Sequence, residues 1–264
     1  MNSLPFTQVD AFADAPFTGN PAAVMPLDAW LPDATLQAIA AENNLAETAF
    51  TVPLPDGTGA DYELRWFTPA LEVALCGHAT LASGHVLMAP DRDIVRFRTR
   101  KAGDLSVARA PDGYALDLPA WAMTPAERPG IGVLLGGAEP IETYWRQGDY
   151  LLLVYSDEAS VRALQPDFPA LAARGDMLTI ATAPGNQTDV VSRVFAPAAG
   201  IDEDPVTGSA HCLLTPYWAA RLGRERFSAY QASARGGHIG CALAGDRAVL
   251  SGRCITVIEG QFRL

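Results

Sequence analysis

Asp61-Tyr62-Glu63-Leu64-Arg65-Trp66-Phe67-Thr68-Pro69 is echoed half a chain later by Asp189-Val190-Val191-Ser192-Arg193-Val194-Phe195-Ala196-Pro197. Asp, Arg, Phe and Pro recur at the same relative positions. Each copy then runs through a loop into a glycine and an apolar segment, Gly77-His78-Ala79-Thr80 in the first and Gly208-Ser209-Ala210-His211 in the second. Self-similarity at half the chain length is the signature of a duplicated fold. The expected architecture is α+β. It has two pseudo-symmetric domains, each a mixed β-barrel-like sheet around one central buried helix. The boundary is placed at 1–118 and 119–264, with the last strand free to cross to the first half.

The pattern around these segments agrees with that frame. Short strand-like runs are numerous: 5–12, 47–52, 62–67, 94–100, 104–110, 114–118, 141–145, 150–155, 177–181, 190–195, 248–250 and 254–258. Asp56-Gly57, Ala102-Gly103 and Asp112-Gly113 read as hairpin turns. Helical patterns are few. Asp33 is placed to N-cap a helix running through Ala41, with Asn43 and Asn44 near its end. The stretches 77–88 and 208–222 are apolar most of the way round, and Gly223 stands where a C-cap belongs. Helices without a polar stripe are buried inside something.

Composition bounds the rest. In 264 residues, 49% are hydrophobic and 19% charged, enough apolar material for a sizeable core. The net charge of −11 argues against a nucleic-acid partner, which needs clustered Lys and Arg. No apolar run reaches membrane-spanning length. Residues 1–10 lack a basic patch followed by an apolar run, so a cytoplasmic location is expected. The four cysteines, Cys76, Cys212, Cys241 and Cys254, form no CxxC pair and are expected as reduced thiols without structural zinc.

Some residues could carry chemistry. Glu47 sits where a helix hands over to an apolar strand, a setting that suits a carboxylate to general acid–base work. His78 lies at a helix start, where the dipole disfavours the protonated ring and predicts a neutral imidazole. Two matched helix starts offer free N–H groups to a carboxylate-bearing small molecule. Gly77 and Ala79, with Thr207 and Gly208, are therefore candidate substrate-binding positions. Asp202, Glu203 and Asp204 exceed what a cap requires, but no matching cluster makes them a metal site. His78 and His85 share a helix face, weak grounds for a ligand pair. Asp204, Ser209 and His211 do not form a hydrolytic triad, since no Gly-x-Ser-x-Gly elbow is present. Neither a Walker loop nor a GxGxxG opens a helix, so no nucleotide cofactor is expected.

The longer motifs resemble the PhzF family, named for phenazine biosynthesis, within the diaminopimelate-epimerase fold. They include Val9-Asp10-Ala11-Phe12, Phe17 to Val24, Asn44 to Phe50 and Arg65 to Pro69. Further on come Leu75 to Thr80, Gly200 to Cys212, Gln231-Ala232-Ser233 and Arg235-Gly236-Gly237. Residues 120–180 carry little of the resemblance.

That resemblance implies a cofactor-free isomerase. Two similar domains would meet at one active-site cleft, and a proton would move between carbons of a dihydro-hydroxyanthranilate-type ring. Glu47 matches the general acid/base; His78, Asp204 and Ser209 match residues that hold substrate or assist. It also implies a homodimer. One departure stands at Ala74, where many relatives carry Asp. The alternatives are a two-base epimerase or racemase using Cys76, for which the second half offers no matching thiol, and a non-catalytic small-molecule-binding protein.

Overall fold

The computed structural model describes residues 3–264. Contacts divide the chain into two compact units. One comprises the chain up to Leu118 together with Val249–Leu264, the other Pro119–Ala248. The first unit contains β1 (Ser3–Ala11), β2 (Asn20–Pro26), α1 (Asp33–Asn43), β3 (Glu47–Pro53), β4 (Tyr62–Phe67) and β5 (Glu72–Val73). It continues with α2 (Gly77–Leu87), β6 (Ile94–Thr99), β7 (Asp104–Ala110) and β8 (Gly113–Pro119). β2 and β3 are parallel, β3 and β4 antiparallel, β4 and β6 parallel, β6 and β7 antiparallel.

The second unit contains β9 (Thr124–Pro125), α3 (Ile131–Leu134), β10 (Glu142–Arg146), β11 (Tyr150–Val154), α4 (Glu158–Arg162) and α5 (Phe168–Arg174). After these come β12 (Leu178–Pro184), β13 (Val190–Ala196), β14 (Ile201–Asp204), α6 (Gly208–Leu222), β15 (Arg226–Gln231) and β16 (Gly237–Ala244). Its pairings repeat the same order: β11 and β12 parallel, β12 and β13 antiparallel, β13 and β15 parallel, β15 and β16 antiparallel. The chain closes with β17 (Arg247–Gly252) and β18 (Cys254–Arg263), and β18 pairs antiparallel along β1.

A parallel pair needs a crossover, and the two buried helices supply it for β4 with β6 and for β13 with β15. α2 links β4 to β6 and lies against β1, β2, β3, β6, β7 and β18. Its Gly77-to-Gly84 stretch is buried throughout. Gly84 permits the closest approach: a Cβ there would fall 2.4 Å from Val107 Cβ on β7. α6 links β13 to β15 and packs on β16, with Trp218 Nε1 donating to Thr182 Oγ1 at 3.0 Å. Around the outside of the first unit, Leu36 and Ile39 of α1 join Met25, Phe50 and Phe67 in one apolar cluster. In the second, Val161, Leu164 and Leu171 cover Leu151, Leu153 and Phe195. The duplicated α+β architecture read from the two echoing stretches is the fold observed.

Details differ from the sequence expectation. Asp33 does not cap α1; the N-cap is Pro32, and no side-chain cap bond forms. Asp33 instead accepts from Arg65 Nη1 at 2.9 Å, a charged partner that outcompetes its own backbone. β2 escaped the sequence reading because prolines occupy its second and last positions, where strand patterns are usually discounted. The three glycine turns do join antiparallel neighbours, β3 to β4, β6 to β7 and β7 to β8.

Candidate active site

Glu47 opens β3. The turn before it is set by Asn44, which ends α1 in the left-handed region, and by Asn43 Nδ2, which donates to Thr48 Oγ1 at 3.1 Å. The parallel register places Glu47 opposite Ala22 on β2. The chain thus delivers one carboxylate, 9% exposed, beside the start of α2. There Cys76 is the N-cap, in extended backbone and without a side-chain cap bond, and the first turn holds no acidic residue. Such a start leaves its positive pole without an acidic side chain in the first turn.

His78, 2% exposed, connects these parts. Its Nε2 lies 3.1 Å from Glu47 Oε2, and its Nδ1 lies 3.0 Å from Asn20 Nδ2 and 3.5 Å from Cys76 Sγ. The Glu47–His78 approach is close but misaligned for a hydrogen bond, and neither of those two atoms makes one elsewhere in the structure. Burial alone would strip the charge from His78. The Cys76 sulfur and the Glu47 carboxylate more than offset this, so the ring holds its proton more tightly than an ordinary histidine. This direction runs against the neutral imidazole expected from the helix dipole, with the Cys76 sulfur and the Glu47 carboxylate as its causes. Asn20 suits either state of the ring, since an amide can donate through Nδ2 to a bare Nδ1 or accept through Oδ1 from a protonated one. Sequence reading gave Asn20 no role. Its only signal was a buried-type polar residue inside the Phe17-to-Val24 motif.

Burial, with the Glu47 charge adding to it, pushes the Cys76 thiol up to about 11, far from a reactive thiolate. Glu47, Cys76 and His78 offer ligand atoms within 4.8 Å of one another. Yet His78 turns one ring nitrogen toward Glu47 and the other toward Cys76, and their lone pairs diverge in the ring plane. One ion could not take all three in this arrangement, and a soft-metal site would also need the thiolate. The arrangement is that of a buried carboxylate in close contact with an imidazole.

The second unit repeats the frame with other groups. Asp204 ends β14, and Thr207 is the N-cap of α6, again without a side-chain cap bond. Thr207 Oγ1 donates to Asp204 Oδ2. Gln231, fully buried on β15, ties this turn together. Its Oε1 accepts from Thr207 N at 2.9 Å, and its Nε2 donates to the Asp204 carbonyl at 2.7 Å. Gln231 is a second positioning group that sequence reading passed over. Ser209, 8% exposed, stands one residue into α6 after Gly208. His211 points inward and Nδ1–H donates to the Thr207 carbonyl at 2.8 Å, while burial lowers its pKa to about 4. It is no partner for Ser209 in a triad.

Glu203 is claimed by Arg193 in a bidentate pair at 2.8 and 3.0 Å, which removes it from any metal site. Arg65 grips Glu72 in the same way, at 2.8 Å for both bonds, between the rings of Trp30 and Phe67. These two clamps fix the loops that lead into α2 and α6. His85 is engaged with Tyr114 and Thr256, at 3.0 and 2.9 Å, and shares no ligand role with His78. Ala74 lines a small depression with Arg65, Trp66 and Glu72. A roomier one of about 560 Å³, lined by Pro55, Asp61, Arg92 and Arg96, lies at the far end of β3 from Glu47 and holds none of the candidate residues.

Fold and site together define a duplicated α+β protein with a buried carboxylate–imidazole pair at a helix start. The chain belongs to the phenazine biosynthesis-like, PhzC-PhzF, family, whose model matches residues 9–260. It is 50% identical to an uncharacterized isomerase of Pseudomonas aeruginosa, over 99% of both chains. A crystal structure of a PhzF-family protein from Enterococcus faecalis superposes with a TM-score of 0.91 at 42% identity, covering 100% of both chains. A hydroxyproline epimerase from Agrobacterium vitis shares the fold, with a TM-score of 0.61 at 13% identity over 98% of this chain and 92% of that one. No helix among the described residues is long and apolar enough to cross a membrane.

Proposed function

We propose that this chain is an isomerase that moves a proton between carbons of a small, cyclic, carboxylate-bearing substrate, without an organic cofactor or catalytic metal. Glu47 is the general acid/base. It removes a proton from a carbon next to a conjugated system and returns it to another carbon on the same face. One carboxylate that accepts and then donates leaves the atoms balanced and needs no redox partner. His78, held beside it by Asn20, supplies positive charge to the developing anion, and the positive pole of the helix start at Gly77 and Ala79 adds to that. In the second unit Asp204 and Ser209, with Thr207 and Gly208, are proposed as substrate-holding residues. A cytoplasmic homodimer is the accompanying proposal, which the family resemblance supports and light scattering would test.

The observation that carries this reading is the contact between Glu47 Oε2 and His78 Nε2 at 3.1 Å, with both atoms buried and free of other hydrogen bonds. The relatives named isomerases support the reaction class. The thiol alternative is disfavoured by the raised Cys76 pKa. The test is incubation with trans-2,3-dihydro-3-hydroxyanthranilate in deuterium oxide, following both isomerised product and incorporated deuterium by NMR. Product formation by the parent and its loss in Glu47→Gln is the expected result. Activity retained in Glu47→Gln and lost in Cys76→Ser would overturn the assignment.

A further inference from the structure

Phe17 is 79% exposed, yet its backbone is not that of a casual surface residue. Its φ is +72°, a region that bulky side chains rarely adopt and that persists only where surroundings enforce it. The enforcement is visible. Asp10, 1% exposed, accepts from the Phe17 N–H through Oδ2 at 2.8 Å. Thr18 Oγ1 donates to the Ala15 carbonyl at 2.7 Å, and Ala13 N donates to the Arg253 carbonyl at 3.1 Å. Gly19 follows at φ +66°, so close to β1 that a Cβ would lie 2.2 Å from the Ala11 carbonyl oxygen. A buried carboxylate thus pins the backbone of an exposed aromatic residue.

The place of this loop gives the ring its meaning. It joins the end of β1 to the start of β2, and β2 runs parallel to β3 with Ala22 opposite Glu47. The loop therefore leaves the sheet at the end where Glu47 enters it. Three residues after Phe17 comes Asn20, in contact with His78. Three residues span at most about 11 Å of chain.

We propose that Phe17 is a specificity-determining residue that lays its ring against the flat face of an unsaturated ring acid bound at Glu47 and His78. This rests on the substrate class proposed above and narrows it to rings that carry a flat conjugated segment beside the proton-bearing carbon. An aromatic face rewards a flat π-system in an offset or edge-on contact and gives less to a puckered, saturated ring.

The probes are 2-aminobenzoate, which is planar, and 2-aminocyclohexanecarboxylate, which carries the same groups on a puckered ring. Binding of each is measured by calorimetry to the intact protein. The parent is expected to prefer the planar acid. Phe17→Ala should weaken planar binding by about three- to tenfold while leaving the puckered acid unchanged, and Phe17→Tyr should restore the preference. Phe17→Gly should raise the melting temperature, because glycine accepts the left-handed backbone, and still lose the planar preference. Equal effects of Phe17→Ala on both acids would overturn the inference. So would a changed oligomeric state with selectivity intact, which would assign the ring to a subunit contact. Failure of the parent to bind the planar acid overturns it as well, while the proton-transfer reading keeps its own test on Glu47→Gln.

Discussion

Cys76-Gly77-His78-Ala79-Thr80 and Thr207-Gly208-Ser209-Ala210-His211 open their helices by one design and arrive at opposite chemistry. In each, the fourth residue after the N-cap returns a bond to the N-cap carbonyl: Thr80 Oγ1 to Cys76 at 2.6 Å, His211 Nδ1 to Thr207 at 2.8 Å. In each, an Arg–Glu clamp two strands earlier fixes the approach. What differs is the position of the imidazole. In α2 it stands one residue past the glycine, against a carboxylate, and gains affinity for a proton. In α6 it stands three residues past the glycine, inside the core, and loses that affinity. The same backbone frame therefore holds one imidazole whose pKa is raised and one whose pKa is lowered. The outcome depends on whether the next strand over begins with a carboxylate.

The sharpest way to break this contrast is to remove one acid at a time. Glu47→Gln is expected to lower kcat by roughly 10²–10⁴ with KM little changed, the range for a positioned acid/base. Asp204→Asn, in the unit assigned to holding substrate, is expected to act mainly on KM. Steady-state kinetics separates the two, and the reverse split would exchange the roles of the helix starts.

The clamps come next. Arg65 is 2% exposed and lies between two aromatic rings; Arg193 is 12% exposed and lies over one. Arg65→Ala should cost about 3 kcal/mol of stability, the low end for an orphaned buried charge because Glu72 still reaches water, and Arg193→Ala less. Urea unfolding measures both.

The two histidines give stability opposite pH dependences. The folded-state pKa of His211 falls from 6.5 to about 4, so its contribution is present above 6.5 and is lost as pH drops toward 4, by about 3 kcal/mol in all. His78 is shifted upward, so its contribution is present below 6.5 and is lost as pH rises through its folded value. Thermal melts across pH should show His211→Gln flattening the acid limb and His78→Gln the alkaline one.

Packing yields a smaller effect. Gly84→Ala should destabilise by about 1–3 kcal/mol, because Val107 occupies the space. Thr215→Ala, seven residues past Gly208 as Gly84 is past Gly77, should cost about 1 kcal/mol. Cys76→Ser is expected to change turnover least, by less than about threefold, since a thiol held near 11 contributes no base.

The duplicated frame was legible because Arg65, Phe67, Arg193 and Phe195 must recur to build the clamps, and their spacing survives in the chain. The apolar helices were legible because burial removes their polar stripe. The partners of the site were not. Asn20 and Gln231 act through contacts with residues 58 and 24 positions away, which no local period reports. The direction of the His78 shift is hidden for the same reason: the helix start is local, but the Glu47 carboxylate arrives from β3.

The central claim is that the neighbouring Glu47 carboxylate favours the charged form of His78 while burial keeps His211 neutral. Histidine side-chain ¹⁵N NMR, recorded against pH for the parent and for Glu47→Gln, tests it most directly. The parent should keep His78 protonated above pH 6.5 and His211 neutral down to about 4. Glu47→Gln should move the His78 titration downward and leave His211 in place. A His78 that titrates at or below its ordinary value, or that does not respond to Glu47→Gln, would contradict the account.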